Sequence, residues 1–156
     1  MTETDSIEIP KLYQQKICGW NIGDAVKFAE PYSDDADFIG FDGTYLEGKQ
    51  QIIMFHAMLF DKFVRGTRLV GKVKHIRFPI PTIAIVVGIS GTIERGHDCI
   101  NPERNSIHTI VAVKADRVWK FTSFQNTRAQ YMENPEKIDA LTKELEQLIQ
   151  SWGEKV

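Results

Sequence analysis

The sequence predicts an α+β protein in which the helices and short strands come first and four long strands follow. Up to Val64 the chain carries helix-capping signals and apolar residues at helical spacing. From Leu69 to Arg128 it changes to long, β-rich segments separated by turn residues. Because helices and long strands are segregated rather than alternating, we expect an antiparallel sheet with helices packed on it.

Size and charge narrow the possible partners. The 156 residues can bury a substantial core within one domain, and 42% apolar with 26% charged residues is ordinary for a globular protein. The net charge is −2, with 19 basic residues scattered among 21 acidic ones. We therefore expect no nucleic-acid partner.

The sequence also gives expectations for compartment. No segment reaches the roughly 18–20 apolar residues that span a bilayer, since Ile83–Ile93 is interrupted by two glycines and a serine. Met1–Asp5 is polar and acidic, unlike a signal peptide. Cys18 and Cys99 lie far apart without a CxxC motif, which favours reduced thiols. We expect a cytoplasmic protein that does not interact with membranes.

The first half predicts two helices, a hairpin and a third helix. The first helix runs from Pro10 to Trp20, with proline at an early position and a stripe of Ile9, Tyr13, Ile17 and Trp20. Asn21 is expected to cap a second, short helix that ends near Pro31, with Asp24 serving as a cap residue only.

A short hairpin and a strong helix come next. Strands Ala36–Phe41 and Thr44–Glu47 flank an Asp42-Gly43 turn. A helix then spans 49–64 and is closed by Gly66. Its apolar stripe consists of Ile52, Phe55, Leu59, Phe60 and Phe63.

The rest of the sequence predicts four long strands in succession, followed by a final helix. The four strands are Leu69–Phe78, Ile83–Arg95, Ser106–Ala115 and Arg117–Thr127. Asn134-Pro135-Glu136 begins a helix whose apolar stripe is Ile138, Leu141, Leu145, Leu148 and Trp152. We interpret residues 1–132 as a cone-shaped α+β domain and 133–156 as a helical extension of that domain. This helix either packs on its own sheet or docks on a partner.

Five motifs occur in order over residues 10–130. They are Trp20-Asn-Ile-Gly-Asp-Ala25, Ala36-Asp-Phe38, Gly48-Lys49 before the helix bearing His56, Arg77-Phe-Pro-Ile-Pro-Thr-Ile-Ala-Ile-Val86, and Trp119-Lys-Phe-Thr-Ser-Phe-Gln-Asn-Thr-Arg128. Together they resemble the nuclear transport factor 2-like (NTF2-like) superfamily, a cystatin-like cone, and most closely its SgcJ/EcaC-type and SnoaL-like members. The chain departs from that pattern at Thr82, where an acid is usual.

The resemblance implies a pocket but no single reaction, since this fold hosts isomerases, dehydratases, cyclases and binding modules. One face of each long strand would line the cone. The implied apolar walls are Trp20, Phe28, Phe60, Trp119 and Phe121, and the polar points are His56, Arg77, His108 and Gln125. No phosphate-binding glycine loop is present in the sequence, so we expect no cofactor.

The polar candidates each have two interpretations. His56 is either a pocket base or a core histidine bonded to a backbone carbonyl. Arg77 either binds a substrate anion or pairs with Asp35 or Asp37. His108 and Gln125 either orient a substrate carbonyl or form a cross-strand pair on a solvated face.

His97-Asp98-Cys99 is interpreted as a polar loop tip, because adjacent loop residues do not supply a tetrahedral ligand set. No metal site is expected.

Three functions remain open from the sequence. The first is a cofactor-independent isomerase, dehydratase or cyclase acting on an apolar cyclic or aromatic carbonyl compound, with His56 or His108 as the base and Arg77 or Gln125 holding the oxyanion. The second is a non-catalytic module that binds such a molecule. The third is an interaction protein, and under any of them the resemblance implies a homodimer.

Overall fold

The computed structural model describes residues 2–153. Its helices are α1 (Glu3–Asn21), α2 (Ala25–Ala29), α3 (Gly48–Lys62) and α4 (Pro135–Gly153). Its strands are β1 (Tyr32–Ile39), β2 (Tyr45–Glu47), β3 (Arg68–Ile80), β4 (Ile83–Ile93), β5 (Ser106–Ala115) and β6 (Val118–Arg128). They form one six-stranded sheet in the order β2-β1-β6-β5-β4-β3, antiparallel except for the β1–β6 pair. The segregated α+β class is confirmed, with one parallel pair added.

Helix α1 begins earlier than the sequence predicted. Thr2 and Asp5 form a capping box, in which each side chain accepts a hydrogen bond from the other residue's backbone N–H. Pro10 therefore lies inside the helix rather than at its start. The Asp5 carboxylate also accepts bonds from Lys114 Nζ at 2.8 Å and Trp119 Nε1 at 2.9 Å, which fastens the first turn to the sheet.

The cap of α2 is Asp24, not Asn21. Asp24 accepts a bond from the Lys27 N–H, as its expected cap role requires. Asn21 is the last residue of α1 instead. Its amide donates to the Leu69 carbonyl and its oxygen accepts from the Leu69 N–H, at 3.1 and 2.7 Å. These two hydrogen bonds resemble those between neighbouring strands, and they hold the end of α1 against β3.

A β-bulge in β6 decides which side chains face the helices. Val111 of β5 pairs with Ser123, but the next residue, Ala112, pairs with Phe121, so Thr122 is the extra residue. Beyond the bulge the alternation is inverted, and Phe124 is buried whereas Gln125 is exposed. Simple alternation had placed Gln125 inside, and the bulge is the reason that it is not.

Helix α4 packs on its own sheet. Leu141 and Leu145 are buried against Val70, Ile89 and Ile93, on the face opposite the other helices. Glu144 accepts a bond from Lys74 Nζ at 2.9 Å. Trp152, the last residue of the expected stripe, has a side chain outside the described residues. Within residues 2–153, no helix is both long enough and apolar enough to cross a membrane.

Candidate functional site

A cavity of about 480 Å³ lies between the inner sheet face and helices α1 to α3. That volume is typical of small-molecule sites. Four of the expected residues line it: Trp20, Phe28, His56 and His108. Most of the other lining side chains are aliphatic or aromatic. The remaining lining residues, apart from Gly40, are polar or charged, and they include Lys16, Asp42 and Arg128.

Lys16 is the most unusual group in the cavity wall. The residue is 4% exposed, and its Nζ lies 4.1 Å from the ring centre of Phe124, 5.4 Å from Phe28 and 5.6 Å from Tyr13. Among the described residues no side chain forms a hydrogen bond or ion pair with it. Three aromatic faces attract a cation, yet burial without a counterion opposes the charge. Burial lowers the pKa of Lys16 to about 7.

His56 presents one free ring nitrogen. Its Nδ1–H donates to the Ile52 carbonyl one turn earlier in α3, at 2.8 Å. This bond selects the tautomer in which Nε2 carries the lone pair. The ring contacts Phe28, with 4.2 Å between ring centres. Burial, together with repulsion from Lys16, lowers the pKa of His56 to about 4, so it is neutral at pH 7 and can accept a proton.

The two interpretations of His56 are therefore compatible. The ring is bonded to a backbone carbonyl, and it also lines the cavity.

His108 is held by Tyr13. The Tyr13 hydroxyl lies 2.8 Å from His108 Nε2 and donates to the Ile89 carbonyl at 3.1 Å. His108 Nδ1 is buried and has no partner in the described part of the chain. Burial, then repulsion from Lys16, lowers the pKa of His108 to about 3. The ring is a neutral, immobilised polar group.

Gly88 makes room for that pair. A Cβ at Gly88 would lie 2.5 Å from His108 Nε2 and 3.1 Å from the Tyr13 ring. Contact that close requires one ring to move, so only glycine permits this arrangement at position 88.

A polar rim borders the cavity where β1 and β6 end. The Arg128 guanidinium stacks on Phe41, with 3.9 Å from its Cζ to the ring centre. It donates to the Arg104 carbonyl at 2.9 Å and to Ser106 Oγ at 3.0 Å. Arg104 in turn pairs with Glu94 at 3.1 Å. Asn126 also lines the cavity, opposite His108 in the sheet register. The rim thus offers hydrogen-bond donors to a polar end of a ligand.

Three expected wall residues lie in the packed core instead of the wall. Phe60 stands behind Trp20, with its ring edge-on at 5.1 Å. Trp119 donates to Asp5 and contacts Phe78, away from the cavity. Phe121 is fully buried against Tyr32. Trp119 and Phe121 belong to the hydrophobic core and Phe60 packs against it, and each of the three contacts another aromatic ring there.

Arg77 and Gln125 lie outside the cavity. Both are exposed, and Arg77 pairs with Ile85 in the register, on the outer face of the sheet. The described ion pairs do not include Arg77, and Asp37 instead accepts a bond from the Tyr45 hydroxyl. His97, Asp98 and Cys99 are exposed in the β4–β5 loop.

Sequence reasoning missed Lys16, Tyr13 and Phe124 as site residues. A signal for Lys16 was present, since it lies three residues after Tyr13 and four before Trp20, on the apolar stripe of α1. A lysine within an apolar stripe is usually interpreted as a solvent-exposed residue at the edge of the stripe. That interpretation is wrong where the stripe itself faces a cavity. Phe124 carried no signal, because the bulge that turns it inward is not visible in the pattern.

No protein-family model and no curated protein matches the chain. A domain of unknown function with a cystatin-like fold from Nostoc punctiforme is 32% identical, with a TM-score of 0.81 over 99% of this chain and 98% of that one. An NTF2-like protein of unknown function from Shewanella oneidensis is 20% identical, with a TM-score of 0.65 over 81% and 99%.

A hexachlorocyclohexane dehydrochlorinase from Novosphingobium barchaimii is 14% identical, with a TM-score of 0.63 over 76% of this chain and 82% of that one. At such identity it shares the fold alone. The Nostoc domain, in contrast, matches in sequence over almost its whole length. The chain therefore belongs to the same family of proteins with a cystatin-like fold as the Nostoc domain, and it shares its fold with the NTF2-like protein from Shewanella.

Proposed function

We propose that the cavity binds a small, largely apolar carbonyl compound and transfers a proton on it without a cofactor. The observation that carries the proposal is Lys16, an amine with no partner among the described side chains, in the wall of a cavity that is otherwise mostly apolar. A buried lysine of this kind is costly to folding. Its position in the wall of a ligand-sized cavity favours a role toward a ligand.

The roles follow from the protonation states. His56 is neutral at pH 7 and its Nε2 can accept a proton from a carbon beside the carbonyl. The protonated form of Lys16 can then stabilise the negative oxygen of the enolate. Both groups line the same cavity beside the Phe28 ring, at 4.2 Å between the His56 and Phe28 ring centres and 5.4 Å from Lys16 Nζ to the Phe28 ring centre, and we propose that one ligand reaches both. Lys16 takes the part that the sequence had assigned to Arg77 or Gln125.

The dehydrochlorinase of this fold offers a parallel in chemistry. Loss of hydrogen chloride from a carbon skeleton also requires that a proton be removed from carbon. The shared fold supports a cavity of this type and leaves the reaction of this chain as our proposal.

The test is hydrogen exchange into deuterated buffer. Cyclic and aromatic ketones are incubated with the protein, and deuterium at the carbon beside the carbonyl is followed by NMR. We expect exchange that falls at least about tenfold in His56→Gln and in Lys16→Met, in keeping with the contribution of a general base. The exposed His75→Gln serves as the control. Ketones that raise the melting temperature without any exchange would favour the alternative, a non-catalytic binding module.

The outer sheet face supports the expected homodimer as a further proposal. Helix α4 covers only part of that face. Beyond it, apolar side chains of β4 and β5 remain partly exposed: Ile83, Ile85, Val87, Val111 and Val113. A second copy that pairs on this face would cover them. Sedimentation should give a dimer mass that Val87→Lys reduces to the monomer mass, whereas a monomer at high micromolar concentration would refute it.

We also propose the narrower SgcJ/EcaC-type assignment. Its support is the Gln125–Arg128 motif, two residues of which, Asn126 and Arg128, line the cavity.

A further inference from the structure

We infer that Lys16 is a nucleophile that forms an imine with an aldehyde or ketone bound in the cavity. The inference deepens the proposed function, on which it rests, because both place a carbonyl compound beside this amine. It changes the role of the lysine from a charge that stabilises an oxygen to a group that bonds covalently to carbon.

Lys16 differs from the lysines that form ion pairs with carboxylates. Lys114 is bonded to Asp5 at 2.8 Å, and Lys74 to Glu144 at 2.9 Å. In both pairs a carboxylate partners the ammonium group. Lys16 has no such partner among the described residues, and it is surrounded by rings rather than oxygens. Its amine is thus free to react.

The protonation state of the Lys16 amine also favours its reaction with a carbonyl carbon. An amine attacks carbon only when it is neutral, and an ordinary lysine with a pKa near ~10.4 is almost wholly protonated at pH 7. Burial lowers the pKa of Lys16 to about 7, so a large fraction is neutral under physiological conditions. The neighbouring histidines do not hold a competing proton, since both are neutral there.

Imine formation uses groups that already line the cavity. The Lys16 nitrogen lone pair forms a bond to the carbonyl carbon, and the carbonyl electrons move to oxygen. A proton leaves the nitrogen, with His56 Nε2 as the acceptor, and the oxygen gains a proton to give a carbinolamine. Protonation of that hydroxyl expels water and leaves an iminium ion. That proton comes from solvent, so the balance is amine plus carbonyl plus one proton giving iminium ion plus water, and no oxidant or reductant takes part.

The three aromatic rings around Lys16 Nζ favour the iminium product as well as the free amine. The iminium nitrogen carries a positive charge at the position now held by Nζ, within 6 Å of three ring centres. Cation–π attraction stabilises such a desolvated charge, and it requires no counterion. An iminium also makes the adjacent C–H more acidic, which would assist proton removal by His56.

The experiment traps the imine. Native protein at pH 7.5 is incubated with benzaldehyde or cyclohexanone and sodium cyanoborohydride, and the modified peptide is identified by mass spectrometry. We expect one adduct, at Lys16, formed on the order of tenfold or more faster than at any other lysine because of its larger neutral fraction. The adduct should be lost in Lys16→Met and retained in Lys11→Met, an exposed lysine of the same helix. Circular dichroism of both variants checks that they are folded.

Labelling spread over exposed lysines, with none at Lys16, would overturn the inference. Its failure can be told from failure of the proposed function. Deuterium exchange without a Lys16 adduct would refute imine formation and support the proposed proton transfer. An adduct without exchange would refute the proton transfer and support the reactive lysine.

Discussion

The Nζ of Lys16 lies 4.1 Å from the centre of the Phe124 ring, and this contact depends on a feature of the backbone far from α1. Phe124 faces Lys16 only because the bulge at Thr122 inverts the alternation of β6. Without the extra residue, Ser123 would face the helices and Phe124 would point outward. The bulge thus supplies one of the three rings that accommodate a cation without a carboxylate.

Replacing Lys16 should stabilise the protein. Lys16→Met keeps the packed side-chain length and removes the cost of a charge buried without a partner, which we expect to be worth about 2–4 kcal/mol at neutral pH. The folded pKa of about 7 lies below the unfolded value near ~10.4, so the unfolded chain binds more protons between them. The gain should be full below pH 7 and shrink as the pH rises toward about 10. Urea unfolding at pH 6.5, 8 and 10 measures it.

Lys11→Met is the matched control for that series. Lys11 is exposed on α1, and its replacement should shift the free energy of unfolding by less than about 0.5 kcal/mol at every pH. A destabilised Lys16→Met would mean that the lysine has a stabilising partner.

Acid should destabilise the fold through the two buried histidines. His56 and His108 have pKa values of about 4 and about 3 in the folded protein, against ~6.5 when unfolded. Between pH 6.5 and 4 the unfolded chain therefore binds more protons, and stability falls as the pH falls. Each histidine should contribute about 2–3 kcal/mol of loss by pH 4.5.

The check is the slope of unfolding free energy against pH in that window. It should decrease in His56→Gln and keep its wild-type value in His75→Gln, whose side chain is exposed. Equal slopes in all three proteins would argue that His56 is solvated.

Removal of the Tyr13 hydroxyl should be costly although it deletes one atom. Tyr13→Phe leaves His108 Nε2 and the Ile89 carbonyl without the partner that now lies at 2.8 and 3.1 Å. Two buried polar groups left unpaired should cost about 1–3 kcal/mol. Tyr45→Phe is the comparison, since the Tyr45 hydroxyl bonds Asp37 on the exposed surface and its loss should cost much less. Thermal unfolding followed by circular dichroism compares the two, and similar losses would show that the Tyr13 hydroxyl is hydrated.

Helix α4 should behave as part of the folding unit. Leu145 is fully buried against the sheet, so Leu145→Ala should destabilise the protein by about 2–5 kcal/mol, while the exposed Gln147→Ala should be near neutral. Denaturant unfolding at two protein concentrations measures this. An effect that vanishes on dilution would mean that Leu145 packs on a partner rather than on its own chain.

Much of the fold was predictable because its signals are local. The capping and turn residues placed the Asp42-Gly43 turn and the start of α4 correctly, whereas β1 begins at Tyr32 rather than at the predicted Ala36. The exception at the N-terminus has a physical reason. Pro10 suggested a helix start, whereas the capping box of Thr2 and Asp5 begins the helix a full two turns earlier.

The site was predictable on the helices and on the regular strand β5, where alternation correctly placed His108 on the inner face. Trp20, Phe28 and His56 reach the cavity because apolar stripes on α1 to α3 face the sheet. Gln125 and Phe124 were misplaced because a single bulge exchanges the two faces of a strand, and no local residue signals it. Lys16 was missed because hydrophobic periodicity treats a lysine as solvated, and only the three-dimensional contacts reveal its cage.

The most direct test of the account is the titration of Lys16 itself. Protein labelled with carbon-13 at the lysine ε carbons is followed by NMR from pH 5.5 to 11, with Lys16→Met used to assign the signal. We predict one lysine with a midpoint close to pH 7, absent from the variant and displaced when a ketone fills the cavity. A Lys16 signal that titrates with the surface lysines near pH ~10.4 would contradict the central claim, because the amine would then be solvated and charged.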